Sequence, residues 1–153
     1  MLPEKLEDHV TKSPQKTYEM VIPSEPRHIQ TVERKAEELA LQLGFTEDER
    51  DSLAIAVTEV VANAILHGNK KIKTKKVFIK FVLSNRTLEI HVRDQGGGFK
   101  PEDVADPLQP ENLYKDSGRG IFIVKTLMDE VKYAFNKTGT KVILIKHHKT
   151  SEP

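Results

Sequence analysis

The chain of 153 residues contains no cysteine, which rules out disulfides and thiolate metal sites. No apolar run approaches the ~20 residues a membrane-spanning helix needs, and the opening MLPEKLEDHV lacks the apolar core of a signal peptide. Neither sign of charge is in excess: 24 Lys and Arg stand against 23 Asp and Glu. No global field therefore draws the chain to nucleic acid or to an anionic membrane. Several glycine signatures are also missing. There is no G-x-x-x-x-G-K-[ST] phosphate loop. Gly118-Arg119-Gly120 lacks the third glycine of a dinucleotide fingerprint and follows a loop rather than an adjacent strand. A calcium loop opened by Asp94 would need a Glu at its twelfth position, where Ala105 stands. The signatures of two-lobed protein kinases are absent as well. What remains is a chain the length of one domain, long enough to bury most of its apolar surface. It is expected in the cytoplasm, with a folded unit over 16–147 between flexible tails at 1–15 and 148–153.

The most informative stretch runs from Asp51 to Gly68, DSLAIAVTEVVANAILHG. It is apolar on nearly all sides, so the pattern predicts a helix inside the domain. Glu59 and Asn63 interrupt it four residues apart, hence on one face. A buried carboxylate and amide need partners, and two kinds fit: neighbouring backbone, or a ligand such as a metal ion with a phosphate. Thr46-Glu47-Asp48-Glu49 reads as a capping box opening this helix, with Gly68 and Asn69 closing it. His67, near the same side, is either a helix-end hydrogen-bonding residue or a metal ligand, and no second His or acid stands at ligand spacing.

Around this helix the chain alternates elements. KTYEMVI (16–22) reads as a strand ended by Pro23. Ser24 is expected to cap the following helix, with Pro26 in its first turn. Ile29, Val32, Ala36, Leu39, Ala40 and Leu43 trace that helix's apolar stripe and Gly44 stops it. The segment 69–76 carries five lysines, either a solvated loop or a contact for phosphate or an acidic partner. Strands follow at 76–84 and 86–94, joined tightly at Ser84-Asn85-Arg86. Leu88, Ile90 and Val92 share the core face of the second strand, and period-two parity sends the Asp94 carboxylate to that side too. Gln95-Gly96-Gly97-Gly98-Phe99 then opens a long, aperiodic, proline-containing connection, commonly functional in a compact domain. Gly118-Arg119-Gly120 leads into IFIVKTLMDEV, whose Ile121, Val124, Leu127 and Met128 mark a helix face. A hairpin turning at Asn136–Gly139 ends the fold, its run Val142–Ile145 suited to a strand covered on both faces. The tail from His147 reads as polar and exposed.

Taken together, the glycines at 96–98 permit close backbone approaches, and a helix opened by Gly118 and Gly120 offers bare amides to an anion. Asp94 at a strand end suits an exocyclic amine such as that of adenine. Asn63 offers an oxygen to Mg²⁺, which takes few protein ligands. Glu59 is placed to orient or deprotonate a hydroxyl or water beside a terminal phosphate.

E-x-x-x-N-A (Glu59, Asn63, Ala64), D-x-G-x-G (Asp94, Gly96, Gly98), G-x-G (Gly118, Gly120) and a late G-T (Gly139, Thr140) occur in this order. The set resembles the Bergerat-type ATP-binding fold shared by DNA gyrase, histidine kinases, the ninety-kilodalton heat-shock chaperones and the mismatch-repair ATPases. TEVVANAILHGN and SGRGIFIVKTLMDEV are most similar to bacterial anti-sigma factor serine kinases, over about residues 16–147. The resemblance implies an α+β two-layer sandwich, with a mixed, mainly antiparallel sheet and about three helices on one face. It implies ATP and Mg²⁺ as cofactors, Glu59 as catalytic base, Asn63 on the metal, and Asp94 with Thr140 at adenine. Gly96, Gly98, Gly118 and Gly120 would shape the phosphate pocket, with Ile121 beside them and residues 99–117 as a lid. Lys115 and Arg119 are the candidates for a basic contact to the terminal phosphate, and neither matches the expected lid arginine clearly. The implied partners are a small antagonist (anti-anti-sigma) protein carrying the substrate serine and a sigma factor bound by a kinase homodimer, without nucleic acid or membrane. The alternatives are a non-catalytic ATP-binding regulatory module and a stand-alone histidine-kinase-type ATPase domain.

Overall fold

In a computed structural model of the chain, residues 15–96 and 118–149 are described. The expected tail residues 1–14 and 150–153, Gly98, and the segment 99–117 with Lys115 lie outside them. In chain order come β1 (Gln15–Pro23), a 3-10 turn (Pro26–His28), α1 (Ile29–Gln42), and α2 (Glu47–Asn63) continued by a π-helical turn (Ala64–Gly68). Then follow β2 (Lys76–Ser84), β3 (Thr87–Arg93), α3 (Gly118–Leu127), β4 (Glu130–Asn136) and β5 (Gly139–His147).

The strands form one sheet in the order β1-β2-β3-β5-β4, and each of its pairings is antiparallel. The sequence predicted a mixed, mainly antiparallel sheet; among the described residues no parallel pair occurs. The chain enters β4 at the edge and turns back as β5 into the place beside β3, so β5 runs antiparallel to both its neighbours. Register places Tyr18, Met20 and Ile22 opposite Phe81, Ile79 and Val77. It places Leu88, Ile90 and Val92 opposite Leu83, Phe81 and Ile79. These residues form one apolar face, which packs with Val32, Leu39, Leu53, Val57, Val61 and Val124 of the three helices into a single core. The two-layer α+β sandwich is therefore as predicted. On β5, Leu144 and Ile145 are buried on opposite faces, whereas Val142 and Ile143 are only half-buried, so the strand is covered on both sides in its second half alone.

Local chemistry explains the element ends. The Thr46 hydroxyl accepts from Glu49 N–H at 3.1 Å and Glu49 Oε1 accepts from Thr46 N–H at 2.8 Å, closing the capping box. At the end of α1, Gly44 takes φ +82°. The N–H groups of Phe45 and Gly44 donate to Ala40 and Leu41 carbonyls, each at 3.0 Å, a Schellman closure. Ser24 departs from expectation: the 3-10 turn has Glu25 at its N-cap and no side-chain cap. Instead Ser24 is buried, its hydroxyl donating to the Lys75 carbonyl at 2.7 Å. Helix α3 ends at Leu127, and Glu130, expected in its last turn, opens β4.

The central helix is also less enclosed than its composition implies. Ile55 is 51% and Leu66 38% exposed, because α1, α3 and the sheet cover only part of its circumference. The C-terminal residues go the other way. His148, expected in a free tail, is half-buried and stacked on Phe45 with ring centroids 5.8 Å apart. Its Nδ1 lies 2.8 Å from Glu49 Oε1, and Lys149 N–H donates to Glu49 Oε2 at 2.9 Å. Burial alone would raise the Glu49 carboxyl. The Lys149 N–H, the His148 ring and the Thr46 N–H outweigh it and hold the group at about 2.

Candidate functional site

Helix α2 carries Glu59 and Asn63 one turn apart, and both side chains are half-buried rather than buried. The cost that a fully desolvated pair would carry is thus largely relieved by solvent. No hydrogen bond or ion pair joins either side chain to another described residue. Across from them α3 begins, with Gly118, Arg119 and Gly120 as its first three residues and Ile121 buried behind. Gly120 lies directly against the Glu59 carboxylate, so that a Cβ at 120 would overlap Glu59 Oε2. The absence of a side chain there lets a helix N-terminus approach a carboxylate that points past it. A helix N-terminus supports negative charge through its free N–H groups.

Parity places Asp94 as predicted: it follows β3 and is 5% exposed. Its Oδ1 accepts from Gly96 N–H at 2.9 Å and from Thr140 N–H at 3.1 Å. Its own N–H donates to the Thr140 carbonyl at 3.0 Å. Burial pushes the Asp94 carboxyl above the ordinary range; these N–H groups and the charges of Lys75 and Arg93 pull against it. The Asp94 side chain also faces Gly68, where a Cβ would overlap Oδ2. The π-helical turn, with Asn69 N–H donating to the Ala64 carbonyl at 2.8 Å, brings Gly68 into that contact. A π-turn inside an α-helix often marks a functional site.

Two residues have roles that the sequence does not show. Gly68 and Asn69 read there as the close of the central helix, with Asn69 also opening the lysine segment, yet Asn69 is fully buried. Its Nδ2 donates to Ser24 Oγ at 2.7 Å and to the Lys76 carbonyl at 2.9 Å, and its Oδ1 accepts from Gln95 N–H at 2.7 Å. Asn69 thereby ties the end of β1, the start of β2 and the segment after Asp94 to the end of the central helix. The triplet His67-Gly68-Asn69 ends the TEVVANAILHGN stretch of the family resemblance, but no periodicity there signals that Gly68 meets Asp94 or that Asn69 turns inward. His67 itself is exposed.

The structure thus brings Gly120 against Glu59, one turn before Asn63, at the α2–α3 seam, and Gly96, Gly68 and Thr140 around Asp94 at the ends of β3 and β5. Among the described residues no three His, Asp or Glu side chains converge as a metal cage. The donor set suits a hard cation that keeps most of its ligands from water and phosphate and takes one amide oxygen, such as that of Asn63, from the protein.

The sequence profile of the histidine kinase-like ATPase domain matches residues 22–146. The serine-protein kinase RsbW of Bacillus subtilis is 32% identical over 135 residues, covering 84% of each chain. RsbW of Listeria monocytogenes is 26% identical over 132 residues, 82% of this chain and 83% of that one. Among solved structures, the RsbU and RsbW domains of a Mycobacterium tuberculosis protein share the fold, with a TM-score of 0.64 and 16% identity over 88% of this chain. The chain spans 33% of that longer protein. The histidine kinase domain of a blue-light activated kinase from Erythrobacter litoralis aligns with a TM-score of 0.53 and 19% identity, covering 90% of this chain and 71% of that one. A buried strand-end aspartate, a carboxylate at a helix N-terminus and these sequence matches agree: the chain belongs to the histidine kinase-like ATPase domain family and within it groups with the RsbW serine-protein kinases.

Proposed function

We propose that this chain is an ATP-dependent protein serine kinase that acts as an anti-sigma factor in the cytoplasm, phosphorylating a small antagonist protein and, as a homodimer, holding a sigma factor. The observation that carries the catalytic part is the contact between Glu59 and Gly120. It sets a carboxylate at the mouth of a helix N-terminus, where a terminal phosphate and an attacking hydroxyl are brought together.

Each residue then has a role. Asp94, ionised, accepts a hydrogen bond from the adenine amine, with Thr140 completing that end of the site. The backbone of Gly96 and the first turn of α3, Gly118 to Ile121, line the phosphates, and Gly98 is assigned to the same pocket. Asn63 takes Mg²⁺, whose contribution is to neutralise charge on the phosphate oxygens. Glu59 accepts the serine proton as the serine oxygen bonds to the terminal phosphorus and ADP leaves. Lys115 and Arg119 are the candidates for neutralising the transferred group.

The test is transfer of labelled phosphate from ATP to a purified small antagonist protein of the anti-anti-sigma type. Transfer by the wild type and its loss in Glu59→Gln support the reading; equal transfer in both removes Glu59 as base. Binding is read separately. ATP with Mg²⁺ is expected to raise the melting temperature where Mg²⁺ alone does not, an effect of about 2.7 kcal/mol at a hundredfold excess over Kd. No rise with ATP sinks the nucleotide site.

A further inference from the structure

The geometry points to Ile55 and Ile123 as a docking surface for the protein substrate, one that selects an acceptor serine bordered by apolar residues. This inference rests on the kinase reading above.

Helices α2 and α3 run antiparallel. Gly120, at the start of α3, touches Glu59 late in α2. Beyond the other end of α3, Asp129 pairs with Lys149 Nζ at 3.3 Å, and Lys149 N–H donates to Glu49 in the first turn of α2. Moving forward from Gly120 is therefore moving backward from Glu59. Ile55 lies four residues before Glu59 and Ile123 three after Gly120, each about one helical turn away and at the same level. Both point outward: Ile55 is 51% and Ile123 45% exposed, while Ala56, Val57 and Val124 beside them are buried. The two isoleucines thus flank the solvent side of the α2–α3 seam one turn from the Glu59 carboxylate. Leu66, 38% exposed, lies beyond Glu59 in the π-helical turn.

The position of this apolar surface decides what covers it. A serine on a folded protein reaches Glu59 only when its hydroxyl comes within hydrogen-bond distance. The substrate surface around that serine must then lie over side chains one turn away. Those side chains are branched and aliphatic, so favourable burial requires apolar neighbours of the serine. A small apolar cluster at the centre of an interface, next to the reacting group, typically carries a large share of the binding energy.

The experiment uses the full chain, ATP with Mg²⁺, and the same antagonist protein as phosphoacceptor. Ile55→Glu and Ile123→Glu are expected to raise KM for the antagonist about tenfold or more, with the ATP-induced thermal shift unchanged. Leu41→Glu, at a site 56% exposed on α1, is expected to leave KM unchanged. An unchanged KM in the Ile55→Glu, Ile123→Glu double variant, while Glu59→Gln abolishes transfer, overturns the docking surface and leaves the kinase reading intact. An equal rise in Leu41→Glu overturns it too, since the effect would then not belong to this place. Transfer that persists in Glu59→Gln removes Glu59 as base and with it the place of this docking surface, whereas no transfer by the wild type overturns the kinase reading itself. Should the Glu variants lose the ATP shift, Ile55→Ser and Ile123→Ser are read by the same criteria.

Discussion

Gly120 abuts the carboxylate of Glu59 so closely that even a methyl group at 120 would overlap Oε2. Two segments separated by the whole of the sheet's first hairpin thus meet at a point with room for no side chain. The crowding falls on a half-exposed glutamate, which is free to swing toward solvent.

Gly120→Ala is therefore expected to leave the fold intact and damage the chemistry. In a helix, alanine in place of glycine gains up to about 1 kcal/mol, so the melting temperature holds or rises. Displacing Glu59 removes a positioned base, and phosphotransfer should fall about a hundredfold or more. A parallel loss of melting temperature, followed by circular dichroism, would show instead that the contact is structural.

Asp94→Asn separates stability from binding. The amide oxygen still accepts from Gly96 and Thr140 N–H groups, and the buried charge is gone. A carboxyl raised by burial makes the folded state relatively less stable as pH rises through the ordinary value of 3.8 toward the folded value. At neutral pH the variant is expected to melt no lower than wild type. ATP affinity should drop by about tenfold or more, because an amide replaces a charged acceptor. Calorimetric titration checks the second point, and undiminished affinity would take Asp94 out of the nucleotide site.

Asn69→Ala should do the reverse and unfold the chain more easily. It deletes three hydrogen bonds and orphans the Gln95 N–H and the Lys76 carbonyl. That costs about 2–4 kcal/mol, roughly 5–15 °C in a domain of this size. A change within experimental error in a thermal melt would mean solvent replaces all three bonds.

Glu49 gives stability an acid limb. Its folded value of about 2 lies below the ordinary 4.5, so its contribution is complete above pH 4.5 and is lost as pH falls toward 2. Glu49→Gln keeps a capping side chain but removes the ionisation. The variant should show a flatter decline of melting temperature across that window; parallel wild-type and variant curves would remove Glu49 as the source.

Much of this protein was legible in one dimension. The capping box at Thr46–Glu49, the Gly44 stop, the strand alternation that turns Asp94 inward, and the pairing of Glu59 with Asn63 are set by short-range periodicity. Neighbours along the chain share a face whatever the rest of the fold does. Tertiary packing alone decided how much of the central helix is covered, and so why Glu59 and Asn63 are half-wet while Ile55 stays exposed. It decided that Ser24 and Asn69 bond to each other across 45 residues, where local rules assigned one the start of a helix and the other the end of another. It decided that His148 closes onto Glu49 rather than trailing in solvent, and that Gly120 stands against Glu59 and Gly68 against Asp94. These are contacts between segments distant in sequence, and no local propensity records which backbone will arrive where a side chain has been left out.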